Sequence, residues 1–265
     1  MTLFWLLYAV VGAVAGVLAG LLGVGGGLVI VPALSFVLTA QGLPPEHLMH
    51  IALGTSLATI MFTSVSSVRA HHKRGAVHWD IVFRIVAGIF LGTFCGSWVA
   101  AQLSTGFLKG FFAAFLAYVS AQLLLDIKPK ASRGLPGLAG ITGVGGIIGV
   151  VSSLVGIGGG SLSVPFMIYC NVAVREAIGT SAAIGFPIAI AGTLGYIVNG
   201  WHATSLPPHS LGYIYLPALA GVAAISVLTA PLGAKLAHTL PVPVVKKFFA
   251  VFLLLMAIKM AWSLF

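Results

Sequence analysis

Two copies of a glycine-rich motif are the residues of this chain best suited to bind a ligand. Leu22-Gly-Val-Gly-Gly-Gly27 recurs as Val155-Gly-Ile-Gly-Gly-Gly160, and a Val-Pro pair follows each copy at the same offset. Glycine reaches left-handed backbone angles cheaply, so each run is able to end one helix and start another. The first N–H groups of the second helix, together with its dipole, then form an anion site without a charged side chain. We expect the substrate to be bound by Gly25, Gly26, Gly27, Gly158, Gly159 and Gly160. The alternative is that these glycines only allow tight helix packing.

A Gly-Thr-Ser motif also occurs twice, inside apolar segments. Its first copy contains Thr55 and Ser56, and its second copy contains Thr180 and Ser181. Hydroxyl groups in a helix either bond to the carbonyl groups of their own helix or donate to a ligand in a neighbouring cavity. We expect these four side chains to add substrate-binding donors, and the helix-bonding alternative stays open.

The other reactive side chains form no recognisable catalytic or metal-binding pattern. The acidic residues all lie near predicted helix ends, so none is placed to carry a proton at the membrane midplane; they are Glu46, Asp80, Asp126 and Glu176. The histidines also lie at loops or segment ends, and no phosphate-binding Gly-Lys-Ser motif marks an ATPase. Cys95 and Cys170 are expected to be small buried hydrophobic residues. We therefore expect no enzymatic activity, no metal and no cofactor.

Membrane helices must position these motifs. The chain is 59% hydrophobic and 6% charged, whereas soluble domains carry roughly 25% charged residues. Apolar stretches at 3–22, 81–103, 211–234 and 244–265 have about the ~20 residues that a helix needs to span a bilayer. Lipid offers the backbone no hydrogen bonds, so these stretches must be helices. The net charge of +9 lies mainly in short loops, which is typical of membrane proteins. We thus expect a lipid bilayer, and no nucleic acid, as a partner.

The matched motifs divide the chain into two repeats. Residues 1–126 form the first, 127–136 a basic linker and 137–265 the second. Each repeat is predicted to contain about five helices, at 3–22, 28–40, 47–69, 80–102 and 106–125, and at 137–155, 161–172, 174–199, 211–236 and 242–264. The second helix of each repeat is too short to cross a bilayer at about 1.5 Å per residue. The prediction is an all-α polytopic membrane protein with broken or re-entrant helices at the glycine motifs.

The distribution of basic residues predicts the orientation in the membrane. Lys and Arg cluster at 69–74, 128–133 and 235–247, which places these segments in the cytoplasm, whereas 199–210 and the N-terminus carry none. An odd number of helices per repeat then makes the repeats inverted relative to each other, with both termini outside. Inverted repeats recur in secondary transporters, whose substrate site lies near the midplane.

The paired Gly-x-Gly-Gly-Gly-x4-Pro blocks, Gly23 to Pro32 and Gly156 to Pro165, and the Gly-Thr-Ser repeats resemble the sulfite exporter TauE/SafE family of membrane permeases. The similarity covers essentially the whole chain. It implies a transporter of the cell (inner) membrane that exports a small anionic substrate, namely sulfite, sulfoacetate or another organosulfonate. One departure from the symmetry of the repeats is that His50 occupies the place of Arg175.

Physical considerations favour export modestly and leave two alternatives open. Because the cell interior is negative, moving one negative charge outward is favoured by about 2.3 kcal/mol per 100 mV. Paired glycine turns also build channels, so a channel or permease for another small anion or solute is one alternative. A membrane scaffold subunit is the other, although it needs no paired broken helices and usually has long polar loops.

Overall fold

The computed structural model describes residues 2–23, 25–125, 134–239 and 242–264. Within them it contains ten α-helices. The first five are α1 Thr2–Leu22, α2 Gly27–Ala40, α3 Leu48–His72, α4 Trp79–Ala101 and α5 Thr105–Leu124. The second five are α6 Leu138–Val155, α7 Gly160–Tyr169, α8 Val174–Gly200, α9 Leu216–Thr239 and α10 Val242–Trp262. A short 3-10 helix, Pro45–His47, precedes α3. Most of the predicted linker, residues 127–133, lies outside the described residues.

The helix lengths confirm the predicted all-α polytopic fold. Seven helices of the described residues are long and apolar enough to cross a membrane. By contrast, α2 and α7 have 14 and 10 residues, which at about 1.5 Å per residue is too short to span a bilayer. The second helix of each repeat is therefore short, as the sequence predicted.

Four predicted helix boundaries are wrong by three or more residues. The third helix ends at His72 instead of residue 69, and the ninth ends at Thr239 instead of residue 236. The other two have local reasons. The ninth helix begins at Leu216 instead of residue 211, because β1 Ser210–Leu211 and β2 Ile214–Tyr215 form an antiparallel hairpin before it. Gly212, with a φ of 55°, lies in the turn of this hairpin. Tyr213 is the other residue of this turn, and burial and the charge of Glu46 raise the pKa of its phenol. The seventh helix ends at Tyr169 instead of residue 172, and Asn171 follows it with a left-handed φ of 65°.

Four of the helix pairs that join the two halves show how the halves are related. Helix α1 packs along α9, and α4 packs along α6, while α3 meets α8 and α5 meets α10. In the order of the repeats, α1 corresponds to α6, α3 to α8, α4 to α9 and α5 to α10. The pair α1–α9 is therefore equivalent to the pair α6–α4, and the pairs α3–α8 and α5–α10 are each equivalent to themselves. This pairing is the one expected of two equivalent repeats. Their inverted orientation in the membrane stays a prediction.

Glycines allow the exchanged helices to approach closely. A Cβ atom on Gly16 of α1 would lie 2.5 Å from the Ser226 carbonyl oxygen of α9. A Cβ atom on Gly149 of α6 would lie 2.6 Å from the Ile89 carbonyl oxygen of α4. Small residues bring helix backbones together in this way throughout membrane proteins. These glycines outside the two motifs therefore serve close helix packing.

Candidate functional site

Both glycine motifs break the chain between two helices. Gly23 and Gly156 follow the ends of α1 and α6 with φ angles of 68° and 66°. Gly26 and Gly159 precede α2 and α7 with φ angles of 79° and 75°. These left-handed angles are accessible to glycine at little cost and to other residues only with strain. The predicted broken helices are therefore present, and we call residues 23–27 the first glycine turn and residues 156–160 the second.

The first turn forms the tip of a helical hairpin. Helix α2 returns alongside α1, and at its far end the Gln41 Nε2 group donates a hydrogen bond of 2.8 Å to the Tyr8 hydroxyl. Because Tyr8 lies near the start of α1, the chain folds back over most of the length of α1. This geometry is that of a re-entrant hairpin whose tip lies within the protein.

The two turns touch each other at the centre of the molecule. A Cβ atom on Gly25 would lie 3.2 Å from the Cα atom of Gly158, and one on Gly27 would meet the carbonyl oxygen of Gly156. The structure thus brings together the glycines that the sequence singled out. Since their backbones are in contact, a ligand held by both turns requires the turns to move apart.

The threonines of the Gly-Thr-Ser motifs each hold a loop of the opposite repeat. The backbone N–H of Tyr215, which follows α8, donates to Thr55 Oγ1 over 2.9 Å. The backbone N–H of His78, which follows α3, donates to Thr180 Oγ1 over 2.9 Å. The threonine oxygens accept these bonds and keep their own hydroxyl protons, which stay available to a further acceptor.

The serines of the same motifs bond to the glycine turns. Ser56 Oγ donates to the Gly156 carbonyl over 2.8 Å, and Ser181 Oγ donates to the Gly23 carbonyl over 2.9 Å. Each serine therefore satisfies a carbonyl at the end of the first helix of the opposite repeat. These bonds connect α3 to the second glycine turn and α8 to the first. A ligand-binding role for the four hydroxyl side chains stays a prediction.

A small cavity lies beside the first turn. About 10 Å³ of it is open to the centre of a water-sized sphere, which is close to the lower limit for one water molecule. Its lining consists of small residues of four segments: Ala19, Gly23, Gly25, Ser64, Ser67, Ala182 and Gly185.

Ser67 is the polar group of this cavity without a partner. Its side chain is 2% exposed, and its hydroxyl makes no hydrogen bond within the described residues. The Ser64 hydroxyl donates to the Met61 carbonyl over 3.2 Å. Sequence reasoning missed both serines. A comparison of the two repeats would have singled them out, because the residues at the equivalent positions of α8, Ala189 and Gly192, have no hydroxyl group.

The acidic residues described by the structure lie at helix ends, as predicted. Glu46 is in the 3-10 helix, and Asp80 and Glu176 are in the first turns of α4 and α8. Glu176 Oε2 lies 2.8 Å from His78 Nε2, and both side chains are 42% exposed. Asp126 lies outside the described residues.

Both cysteines are free thiols, but only one is buried. Cys170 is buried, whereas Cys95 is exposed on the surface of α4. The prediction of burial is therefore wrong for Cys95, because an apolar segment has both an inward and an outward face. An apolar residue is equally stable facing lipid or facing the protein interior, so hydropathy alone does not distinguish a buried position from a lipid-facing one.

Comparisons with known proteins point to one family. A family model described as sulfite exporter TauE/SafE matches residues 8–260. A "Probable membrane transporter protein" of Haemophilus influenzae is 43% identical over 259 residues, which cover 97% of this chain and 98% of that protein. The "Probable membrane transporter protein YunE" of Bacillus subtilis is 27% identical over 216 residues, covering 74% and 79%. The "Probable membrane transporter protein MJ0441" of Methanocaldococcus jannaschii is 26% identical over 235 residues, covering 87% and 85%. No solved structure matches significantly.

Proposed function

The chain belongs to the sulfite exporter TauE/SafE family, and on that premise we propose that it exports sulfite, sulfoacetate or another organosulfonate from the cytoplasm. It is a multi-pass membrane transporter and not an enzyme. The match to the family model over residues 8–260 is the observation that carries the substrate class. The proposed location is the cell (inner) membrane, with both termini outside.

The geometry of the glycine turns suits a small anion in this proposal. The first N–H groups of α2 and α7 have no partners within their own helices, and the helix dipoles favour negative charge at these ends. Thr55 and Thr180 retain hydroxyl protons that are able to donate. Such a site needs no buried Lys or Arg, so the anion is held weakly enough to be released on the other side.

The contact between the turns favours a carrier over an open channel. Gly25 and Gly158 lie backbone to backbone, and the cavity beside them holds at most about one water molecule. A substrate must therefore displace the turns in order to pass. Export also needs no coupled ion, because the membrane potential favours outward movement of an anion by about 2.3 kcal/mol per 100 mV.

Efflux from liposomes tests this function. The purified protein is reconstituted into liposomes loaded with radiolabelled sulfite, sulfoacetate or methanesulfonate, and a potassium diffusion potential, negative inside, is imposed. We expect efflux that saturates with concentration and accelerates with the potential. The Gly26→Val variant, whose side chain is incompatible with the left-handed turn, is expected to abolish it. Efflux no faster than from protein-free liposomes for all three anions would refute the proposal, and rapid flux that does not saturate would support a channel.

A further inference from the structure

We infer that the anion binds at one side of the pseudo-symmetric centre only, at the cavity beside the first glycine turn, which widens when the turns part. The Ser67 hydroxyl is the hydrogen-bond donor, and Ser64 belongs to the lining. This inference deepens the proposed function and rests on it for the identity of the anion. It narrows the set of proposed donors: the N–H groups of α7 and the Thr180 hydroxyl then do not contact the anion, and the second side has no equivalent cavity.

The first reason is the unsatisfied hydroxyl. Ser67 is 2% exposed and makes no hydrogen bond within the described residues, yet it lines the cavity. A buried polar group without a partner carries a cost in stability. A ligand oxygen that accepts from this hydroxyl removes that cost, so the cavity is suited to an acceptor.

The second reason is the size of the residues on the two sides. Ala182 and Gly185 line the cavity, whereas their counterparts in the first repeat are Leu57 and Ile60. The Leu57 side chain fills the space beside Gly192, where a Cβ atom would lie 2.7 Å from Leu57 Cδ1. Gly192 is the counterpart of Ser67, so a leucine side chain occupies the place of the cavity on the second side.

The third reason is the chemistry of the two sides. Ser64 and Ser67 correspond to Ala189 and Gly192, which have no donor side chain. Buried hydroxyls without a hydrogen-bond partner are also present on the second side: that of Ser152, the counterpart of Ala19, and that of Thr93, whose methyl carbon would lie 3.3 Å from a Cβ atom on Gly192. The second side therefore has donors but less space, because its apolar side chains are larger. The first side thus offers a small oxyanion the Ser67 hydroxyl and, once the turns move apart, space among small residues.

Transport kinetics provide the first test. We expect Ser67→Ala to raise the KM of sulfite efflux at least tenfold, because a hydrogen bond to a charged group is lost. Thr59→Val is the matched control, since Thr59 is fully buried on the same helix and its hydroxyl donates to the Thr55 carbonyl over 2.8 Å. Its KM should match that of the wild type. An unchanged KM for Ser67→Ala would contradict the inference.

Thiol labelling provides a test that does not depend on transport. In a background with Cys95→Ala and Cys170→Ala, cysteine is introduced as Ser64→Cys or, at the counterpart, as Ala189→Cys. We expect 2-sulfonatoethyl methanethiosulfonate to modify the cysteine at position 64 but not at 189, and methanesulfonate to slow the modification. Equal modification at both positions, or none at 64, would overturn the inference. Faster modification of position 64 by the cationic 2-aminoethyl reagent would overturn its assignment to anions.

The two proposals fail in different ways. If the wild type moves none of the sulfur-containing anions but position 64 is labelled selectively and protected, the proposed function fails while the one-sided site stands. If the wild type exports sulfite but the labelling is equal and Ser67→Ala has no effect, the one-sided site fails alone.

Discussion

At the scale of single residues, the Gly-Thr-Ser hydroxyls act across the boundary between the repeats. Thr55 accepts the N–H of Tyr215, and Thr180 accepts the N–H of His78. Each threonine thus accepts a hydrogen bond from a backbone N–H group that has no partner in a helix or a strand pair. A ligand-binding role for these threonines would come in addition to this contact.

This contact predicts that Thr55→Val destabilises the fold. The valine methyl group does not accept a hydrogen bond, so the Tyr215 N–H loses its partner at a cost of about 1–3 kcal/mol. Thr59→Val, one helical turn further along α3, should cost less, because the Thr59 hydroxyl only donates to its own helix. Thermal unfolding of the two variants in detergent measures the difference. Equal melting temperatures would show that the loop contact contributes nothing.

The contact between the glycine turns predicts the effect of a single methyl group at residue 27. In Gly27→Ala the new Cβ atom meets the Gly156 carbonyl oxygen, and overpacking of this kind costs about 1–3 kcal/mol. The control is Gly106→Ala, in the first turn of α5, where a Cβ atom has nothing within 4 Å. Alanine there should stabilise the helix by up to about 1 kcal/mol. A Gly27→Ala protein as stable as Gly106→Ala would mean that the turns do not touch.

At the scale of helices, close packing of α4 against α6 depends on glycine on one face of α6. Gly149→Leu places its Cβ atom 2.6 Å from the Ile89 carbonyl oxygen, so the helices must separate. Gly143→Leu on the same helix points into open space, with nothing within 4 Å. We expect Gly149→Leu to lose several degrees of melting temperature or to fail in purification, and Gly143→Leu to behave as the wild type. Similar behaviour of the two variants would contradict this packing.

A proline in α9 predicts a coupling between two helices. Pro231 has no N–H, so the Val227 carbonyl, four residues earlier, loses its helical partner. The Ser66 hydroxyl of α3 donates to this carbonyl over 2.8 Å. Ser66→Ala should therefore cost about 1–3 kcal/mol, and less when Pro231→Ala restores the helical N–H. A double-mutant cycle by thermal unfolding measures the coupling, and additive costs would show that the serine does not serve the freed carbonyl.

At the scale of the whole molecule, the loops after α3 and α8 lie at opposite ends of α3. Residues 73–78 follow its last residue, whereas Tyr215 bonds to Thr55 near its beginning. The basic residues then predict which end faces the cytoplasm. In the background without Cys95 and Cys170, we expect Lys73→Cys to be labelled only from the cytoplasm and Ser205→Cys only from outside. Labelling of both from the same side of intact cells would contradict the topology.

The sequence alone determined the elements of this protein and their order. Hydropathy, glycine and proline act on neighbouring residues, so the ten helices and the two glycine breaks were readable without a structure. The hairpin at 210–215 was not, because its apolar strands have the same hydropathy as the start of a helix.

Only the tertiary structure decided how these elements pack against and bond to one another. It paired α1 with α9 and α4 with α6, and it directed the hydroxyls of the Gly-Thr-Ser motifs to the opposite repeat. It also placed Gly25 against Gly158 and left space on the Ser67 side of the centre. Each of these results joins residues that are far apart in the chain. Their distance depends on how whole helices pack, which no local pattern of residues encodes.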